Sequence, residues 1–252
     1  MKSSLPAAGA VPSRSVVLTY HSLDETGSVI SIRPQDFRRQ MEALATSGIP
    51  VVPLAEILDH PGSVAITFDD GFANFLEHAV PVLNRLSLPA TVFVISGYCG
   101  HRNNWPTQPP GIPDLPLMSW SDLRDLPTGI SLGAHTVTHQ NLCSLDDREV
   151  AIEVHQSRME IEAKTGRAVE TFAYPYGAVD ARTASIVRRE FKIGCGTRLR
   201  FTDTQGDPAV LPRLDVFYLK SAMWFRKPLS VPNSMYIAFR RSLREARACL
   251  SP

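Results

Sequence analysis

Short runs of β-branched and apolar residues alternate with longer stretches of helical periodicity, and this alternation constrains the fold more than any other feature of the chain. The runs that read as strands are Val16–Tyr20, Ile49–Val52, Val64–Phe68, Ala90–Ile95, Ile130–Ala134, Glu170–Tyr174 and Lys192–Gly196. One predicted helix opens with Pro34 at a first-turn position and sets Phe37, Met41, Leu44 and Ala45 on a common face. Others are predicted over Phe75–Leu86, Asp147–Lys164 and Asp180–Arg189, the longest closing at Gly166 in a C-cap position. Strands followed repeatedly by helices need crossover connections and hence a parallel sheet, and this many units predict a single-domain α/β barrel. A chain of 252 residues that is 44% hydrophobic can fill such a core.

Two segments break the rhythm. Residues 96–118 are rich in Pro, Gly and Asn and too long for a plain strand-to-helix connection, which predicts a functional or mobile loop. From Lys220 onward, Arg226, Lys227, Arg240, Arg241, Arg244 and Arg247 mix with Trp224, Phe225, Tyr236 and Phe239, and Glu245 is the only acid. The predicted organisation is therefore a leader over 1–15, a barrel over 16–219, and a basic, helical C-terminal extension over 220–252. The extension has two readings: peripheral contact with an anionic membrane surface, or a basic helix packed on the barrel with a solvated face.

The formal net charge of +1 gives no global case for nucleic-acid binding. In MKSSLPAAGAVPSRS, Pro6, Gly9 and Pro12 interrupt the apolar run of roughly 7–15 residues that a secretory signal needs. The expected location is cytoplasmic, at the inner face of the membrane if the basic extension binds lipid. Cys99, Cys143, Cys195 and Cys249 form no metal-type spacing and read as reduced thiols.

Three short motifs carry chemistry. In VAITFDDGF a strand runs directly into the carboxylates Asp69 and Asp70, where catalytic groups gather in parallel α/β folds. A helix cap plus a solvated acid would explain the same pair. In SLGAHTVTHQNL a second strand ends in His135, and His139 follows four residues on, so both imidazoles can face one ion. Together with a carboxylate from another strand they make a His₂Asp set with open coordination positions; two unrelated loop histidines are the alternative. In ETFAYPYGAVD a strand stops at Pro175, and a turn through Tyr176 and Gly177 can aim a backbone N–H at a developing oxyanion.

In this order, TFDDGF, HTVTH and FAYPYG resemble the polysaccharide deacetylases of carbohydrate esterase family 4, over roughly residues 16–215. The resemblance implies a distorted (β/α)₇ barrel that removes N- or O-acetyl groups from sugars, usually N-acetylhexosamines. It implies that Asp70, His135 and His139 bind a divalent ion, with Zn²⁺ expected and Co²⁺ or Ni²⁺ as alternatives. It also implies that Asp69 is the general base and that the Tyr176 N–H helps to form the oxyanion hole. Trp120, Leu142, Pro175 and Tyr176 are the candidates for contact with the saccharide or glycoconjugate substrate.

The sequence departs from the family pattern twice. Many members carry an arginine at the position of Ala173, and their late Leu-x-His motif, source of the general acid, has no counterpart after residue 177. The first strand, VVLTYHSL, places His21 at its end instead. This is similar to the circularly permuted poly-N-acetylglucosamine deacetylase subgroup, which the ISIRPQDFRRQMEAL helix and the Ser-Trp near Trp120 also fit. Arg213, leading into a late strand in VLPRLDV, is the candidate replacement for the missing arginine. Alternatives in function are a deformylase or deacetylase of a lipid-linked sugar, an O-acetyl esterase, or a non-catalytic carbohydrate-binding protein on the same fold.

Overall fold

The computed structural model describes residues 14–203 and 205–250, with side chains to 246. The predicted leader lies outside the described residues up to position 13. Ten strands follow in order: β1 Arg14–Tyr20, β2 Ser22–Leu23, β3 Ser31–Ile32, β4 Val64–Phe68, β5 Ala90–Val94, β6 Ile130–Ala134, β7 Thr171–Ala173, β8 Ile193–Cys195, β9 Thr202–Asp203 and β10 Leu214–Asp215. The helices are α1 Pro34–Ala45, α2 Asn74–His78, α3 Val80–Leu86, α4 Trp120–Arg124, α5 Asp147–Thr165, α6 Ala181–Glu190, α7 Ala222–Phe225 and α8 Val231–Leu250.

The main sheet runs β10-β1-β4-β5-β6-β7-β8, parallel throughout, with β9 antiparallel on the end of β1. It is a curled α/β sheet whose two ends meet only at one segment. There Leu211 bridges Cys195, while Leu214 and Asp215 pair with Leu18 and Thr19. Alternate residues face opposite sides of each strand. One set (Val17, Ala65, Phe93, Ala173, Ile193 and Cys195) fills the inside of the curl. The other, including Val16, Leu18, Ile66, Val92 and Val94, packs against the helices.

The parallel path has seven strands, as predicted, but not the same seven. Residues Ile49–Val52 make only a bridge from Val51 to Val64, because Pro50 and Pro53 supply no N–H to a ladder. The seventh strand is β10, two residues long and too brief to show as a run. The predicted Phe75–Leu86 helix is two helices, since Pro81 removes a hydrogen bond and crowds the preceding turn. In α1, Phe37, Met41 and Leu44 are buried as expected, but Ala45 is exposed and Gln40 is buried in its place. Gln40 tolerates burial because its side chain accepts from the Tyr20 hydroxyl at 2.8 Å and donates to the Leu219 carbonyl at 3.3 Å.

Helix α5 begins with a capping box between Asp146 and Glu149 and ends at Gly166, whose φ of 71° is the left-handed cap. At the C-terminal side, Trp224, Phe225 and Ile237 join the main core, so the segment from Lys220 is packed on the barrel. No helix among the described residues is long and apolar enough to cross a membrane.

Candidate active site

The C-terminal ends of the parallel strands bring the site together. Strand β4 delivers Asp69 and Asp70 through a tight turn in which Asp70 and Gly71 both have positive φ, 69° and 75°. Strand β6 delivers His135, and the turn after it delivers His139; β1 delivers His21, and β10 carries Asp215. All six line one cleft of about 370 Å³, with Trp105, Tyr176, Phe217 and Tyr218 supplying aromatic walls. Phe217 and Tyr218 also border an adjoining cavity of about 790 Å³ beneath α8.

Asp70, His135 and His139 are buried, with their ligand atoms all within 4.8 Å of one another. One Asp70 oxygen lies 3.5 Å from each imidazole Nε2, and the two Nε2 atoms lie 3.2 Å apart. The opposite ring nitrogens are engaged elsewhere. His135 Nδ1 lies 2.7 Å from the Ala173 carbonyl, which can only accept, so the proton sits on Nδ1 and the Nε2 lone pair faces inward. His139 Nδ1 lies 3.1 Å from the Tyr176 hydroxyl oxygen, and that hydroxyl donates to Thr107. Two nitrogen lone pairs and a carboxylate oxygen converging on one buried point fit a divalent ion of the zinc type.

The electrostatics of the three groups differ. Burial alone would raise Asp70, but the neighbouring His135 and His139 rings hold its carboxyl below the usual range. Burial pushes His139 down to about 3, so its ring is neutral. For His135 burial acts downward too, but the carboxylates of Asp70 and Asp69 outweigh it and raise the ring.

Arg213 is 1% exposed, and its guanidinium grips Asp69 with two parallel hydrogen bonds of 2.7 Å, one to each carboxylate oxygen. Its Nε donates to the Gly196 carbonyl at 3.0 Å, one Nη donates to the Thr67 hydroxyl at 3.2 Å, and it lies 5.4 Å from the centre of the Phe93 ring. Ala173 belongs to the same interior cluster as Phe93; its small side chain leaves room for a guanidinium arriving from the β10 side. Burial raises the Asp69 carboxyl, but the Arg213 charge outweighs that and holds it well below the ordinary carboxylate range. His21 Nε2 lies 3.9 Å from the Asp69 oxygen Oδ2.

The third motif forms a turn at Pro175–Gly177, with Tyr176 at φ 58° and Gly177 at φ 68°. A Cβ on Gly177 would lie 2.0 Å from the Thr197 hydroxyl, so only glycine fits there. The structure separates the other substrate candidates from the cleft. Trp120 is half-buried at the start of α4, where the Ser119–Asp122 capping box sets it against the core. Leu142 is fully buried in the main core on a short 3-10 turn, and Pro175 is buried beneath the turn it shapes. Neither they nor Trp120 line the cleft, whereas the Tyr176 side chain does.

Four contributors have no motif. Trp105, from the long loop, is 2% exposed and places its ring 4.4 Å from that of His139. Thr107, two residues on, ties Tyr176 to that loop. Glu153 on α5 is buried and accepts from the Val137 and Thr138 N–H groups at 2.8 and 2.9 Å, and from the Thr138 hydroxyl at 2.6 Å, clamping the chain between the two histidines. An acid beside the apolar stripe of Val150, Val154 and Ile161 was its only signal. Asp215, raised by burial, lines the cleft with His21. The remaining histidines lie elsewhere; His60 reaches a backbone carbonyl, while His78 and His155 pair with nearby glutamates.

Residues 59–190, more than half of the chain, match the family described as Polysaccharide deacetylase, and the chain belongs to that family. A Staphylococcus aureus relative named Poly-beta-1,6-N-acetyl-D-glucosamine N-deacetylase is 22% identical over 206 residues, which is 75% of this chain and 66% of the relative. The chain spans between 60% and 66% of the length of the curated relatives it matches. Among solved structures, IcaB from Ammonifex degensii aligns with a TM-score of 0.69 at 25% identity, over 84% of this chain and 97% of that one. The Streptococcus pyogenes deacetylase PplD, in complex with acetate, aligns with a TM-score of 0.70 at 20% identity, over 81% of this chain and 92% of that one. The curled parallel sheet is thus the family's fold.

Proposed function

We propose that this chain is a divalent-metal-dependent carbohydrate N-deacetylase, releasing acetate and a free amine from an N-acetylhexosamine unit. The observation that carries the reading is the buried Arg213–Asp69 pair set beside Asp70, His135 and His139, with His21 at the edge of the same cleft. The relatives named for N-deacetylation of poly-N-acetylglucosamine, and the acetate held by PplD, support the acyl group chosen.

Asp70, His135 and His139 would hold the ion, with Zn²⁺ favoured by the N₂O donor set. Such an ion supplies polarisation of an acyl oxygen and acidification of water. The protein does the rest. Arg213 keeps Asp69 ionised and fixes its plane, using one lone pair on each oxygen and leaving the other free to take a proton from the attacking water. Asp69 is a weak base for that reason, so its contribution is position and constant ionisation. The Tyr176 N–H is assigned to the oxyanion. His21 donates a proton to the departing nitrogen, without which an amine leaves poorly.

The decisive assay is acetate release with and without chelator across N-acetylated monosaccharides, glycolipids and polymers. Chelator-sensitive acetate from at least one class is expected. No acetate from any, with the metal site loaded, would overturn the reading in favour of a non-catalytic carbohydrate-binding protein.

A further inference from the structure

Helix α8 is amphipathic in the opposite sense to an ordinary surface helix. Its polar side faces the barrel. Asn233 donates to the Trp224 and Lys227 carbonyls at 3.0 and 2.8 Å, the Arg240 guanidinium lies 4.8 Å from the Tyr218 ring centre, and Arg244 donates to the Thr197 carbonyl at 2.9 Å. Ile237 is the only residue of the described part of the helix to be buried. On the outward side stand Val231, Met235, Phe239 and Leu243, which are 67%, 69%, 61% and 40% exposed. Spaced by four residues, they make one stripe along about 18 Å of helix. Single exposed apolar residues are ordinary, but a continuous row marks an interaction surface.

Charge identifies what covers the stripe. The segment from Lys220 to the end holds seven Lys and Arg against one Glu, in a chain whose net charge is only +1, so the remainder is net negative. Lys220, Arg226 and Lys227 are exposed. A second copy joined through this face would bring two positive segments together. An anionic lipid surface is opposite in sign and accepts the apolar row at its headgroup boundary.

We propose that α8 lies on anionic lipid, with Val231, Met235, Phe239 and Leu243 inserted at the interface and the flanking cations against the headgroups. The helix lies along the surface and does not cross it. Because Arg244, on the barrel face of this helix, also lines the cleft, docking holds the cleft within one helix diameter, roughly 10–12 Å, of the membrane. Resting on the deacetylase reading, this assigns the substrate class as an amino sugar held at the membrane, linked to a lipid or to a surface glycan.

Flotation of the full chain with phosphatidylcholine vesicles, with and without phosphatidylglycerol, tests the docking without reference to activity. Binding to the anionic vesicles alone, weakened by salt, is expected. The Met235→Ser/Phe239→Ser variant, both sites being exposed and outside the cleft, should keep its circular dichroism and its acetate release from a soluble sugar. Its partition into anionic vesicles should fall about tenfold or more, since binding scales with buried apolar area. No binding by the parent chain, equal binding by the variant, or a dimer that the variant dissolves would overturn the proposal. Vesicle binding without acetate release would instead leave the docking standing and remove the deacetylase.

Discussion

Arg213→Met removes one side of the buried, two-bond ion pair with Asp69. The replacement keeps an apolar stem of similar reach but removes both 2.7 Å hydrogen bonds to Asp69, leaving a carboxylate that is 3% exposed without its cation. Breaking a buried pair from one side costs about 3–5 kcal/mol, because the surviving charge stays desolvated. For a chain of this size that corresponds to a fall in Tm of roughly 6–20 °C. The pH dependence gives a sharper signature. In the parent, the Asp69 carboxyl is held below its unfolded value, so its stabilisation is present above about pH 4 and is lost as the pH falls. In the variant, burial without Arg213 raises the carboxyl, so the sign reverses and stability improves on acidification. Differential scanning calorimetry of both proteins at pH 7 and pH 4.5 should show the Tm gap narrowing at the lower pH. Asp69→Asn combined with Arg213→Met should cost less than the two single changes added together, since the pair then carries no charge. A Tm within 2 °C of the parent at pH 7, or a gap that widens with acid, would refute the reasoning.

Tyr176→Phe removes the hydroxyl that joins His139 Nδ1 to Thr107, and metal affinity measured against a chelating dye should fall about 10–100-fold. His21→Ala should lower turnover about 10²–10⁴-fold while elemental analysis finds the same metal content, because the proposal makes His21 the general acid and not a ligand. The raised His135 ring sets a pH rule for the ion. Without metal, protonated His135 contributes stability below about pH 6.5 that is lost as the pH rises through its folded value, and the ion needs the neutral ring. The rise in Tm on adding zinc should therefore be larger at pH 8 than at pH 6; an equal or larger rise at pH 6 would contradict the assignment.

How far the sequence could be read follows from the range of each interaction. Strand ends, helix caps and left-handed glycines are local, so β4, β6, α5 and the turns at Gly166 and Gly177 were visible in short windows. The candidate ligand group of Asp70, His135 and His139 was visible because a carboxylate pair and a four-residue histidine spacing are local as well. What failed depended on distant partners. The apolar content of Ile49–Val52 suggested a full strand, but Pro50 within it and Pro53 after it reduce it to one bridge. Choosing Trp105 over Trp120 for the cleft needed the path of the 96–118 loop, which returns along Gly71–Ala73 through hydrogen bonds at Met118 and Pro116. Arg213 could be guessed from a gap in the family pattern, but its pairing with Asp69 spans 144 positions.

The backbone shows how this site is held. Among the described residues, five non-glycine residues have positive φ, and four of them, Asp70, Thr136, His139 and Tyr176, belong to the turns that form the site. Each such residue costs on the order of 1 kcal/mol and persists only where its surroundings over-determine it. Here the surroundings can be named. The His139 N–H donates to the Thr136 hydroxyl at 2.9 Å, the Ser96 N–H donates to the Thr136 carbonyl at 3.1 Å, and Glu153 fixes the two residues between. Asp70 is pinned between the end of β4 and the Gly71 N–H, which donates back to Asp69. The strain therefore lies in the turns that aim the Asp70, His135 and His139 side chains, while the restoring bonds come from α5, the long loop and the turns themselves. A catalytic motif records the aimed atoms; the residues that hold the aim are scattered through the sequence, and each looks ordinary in its own window.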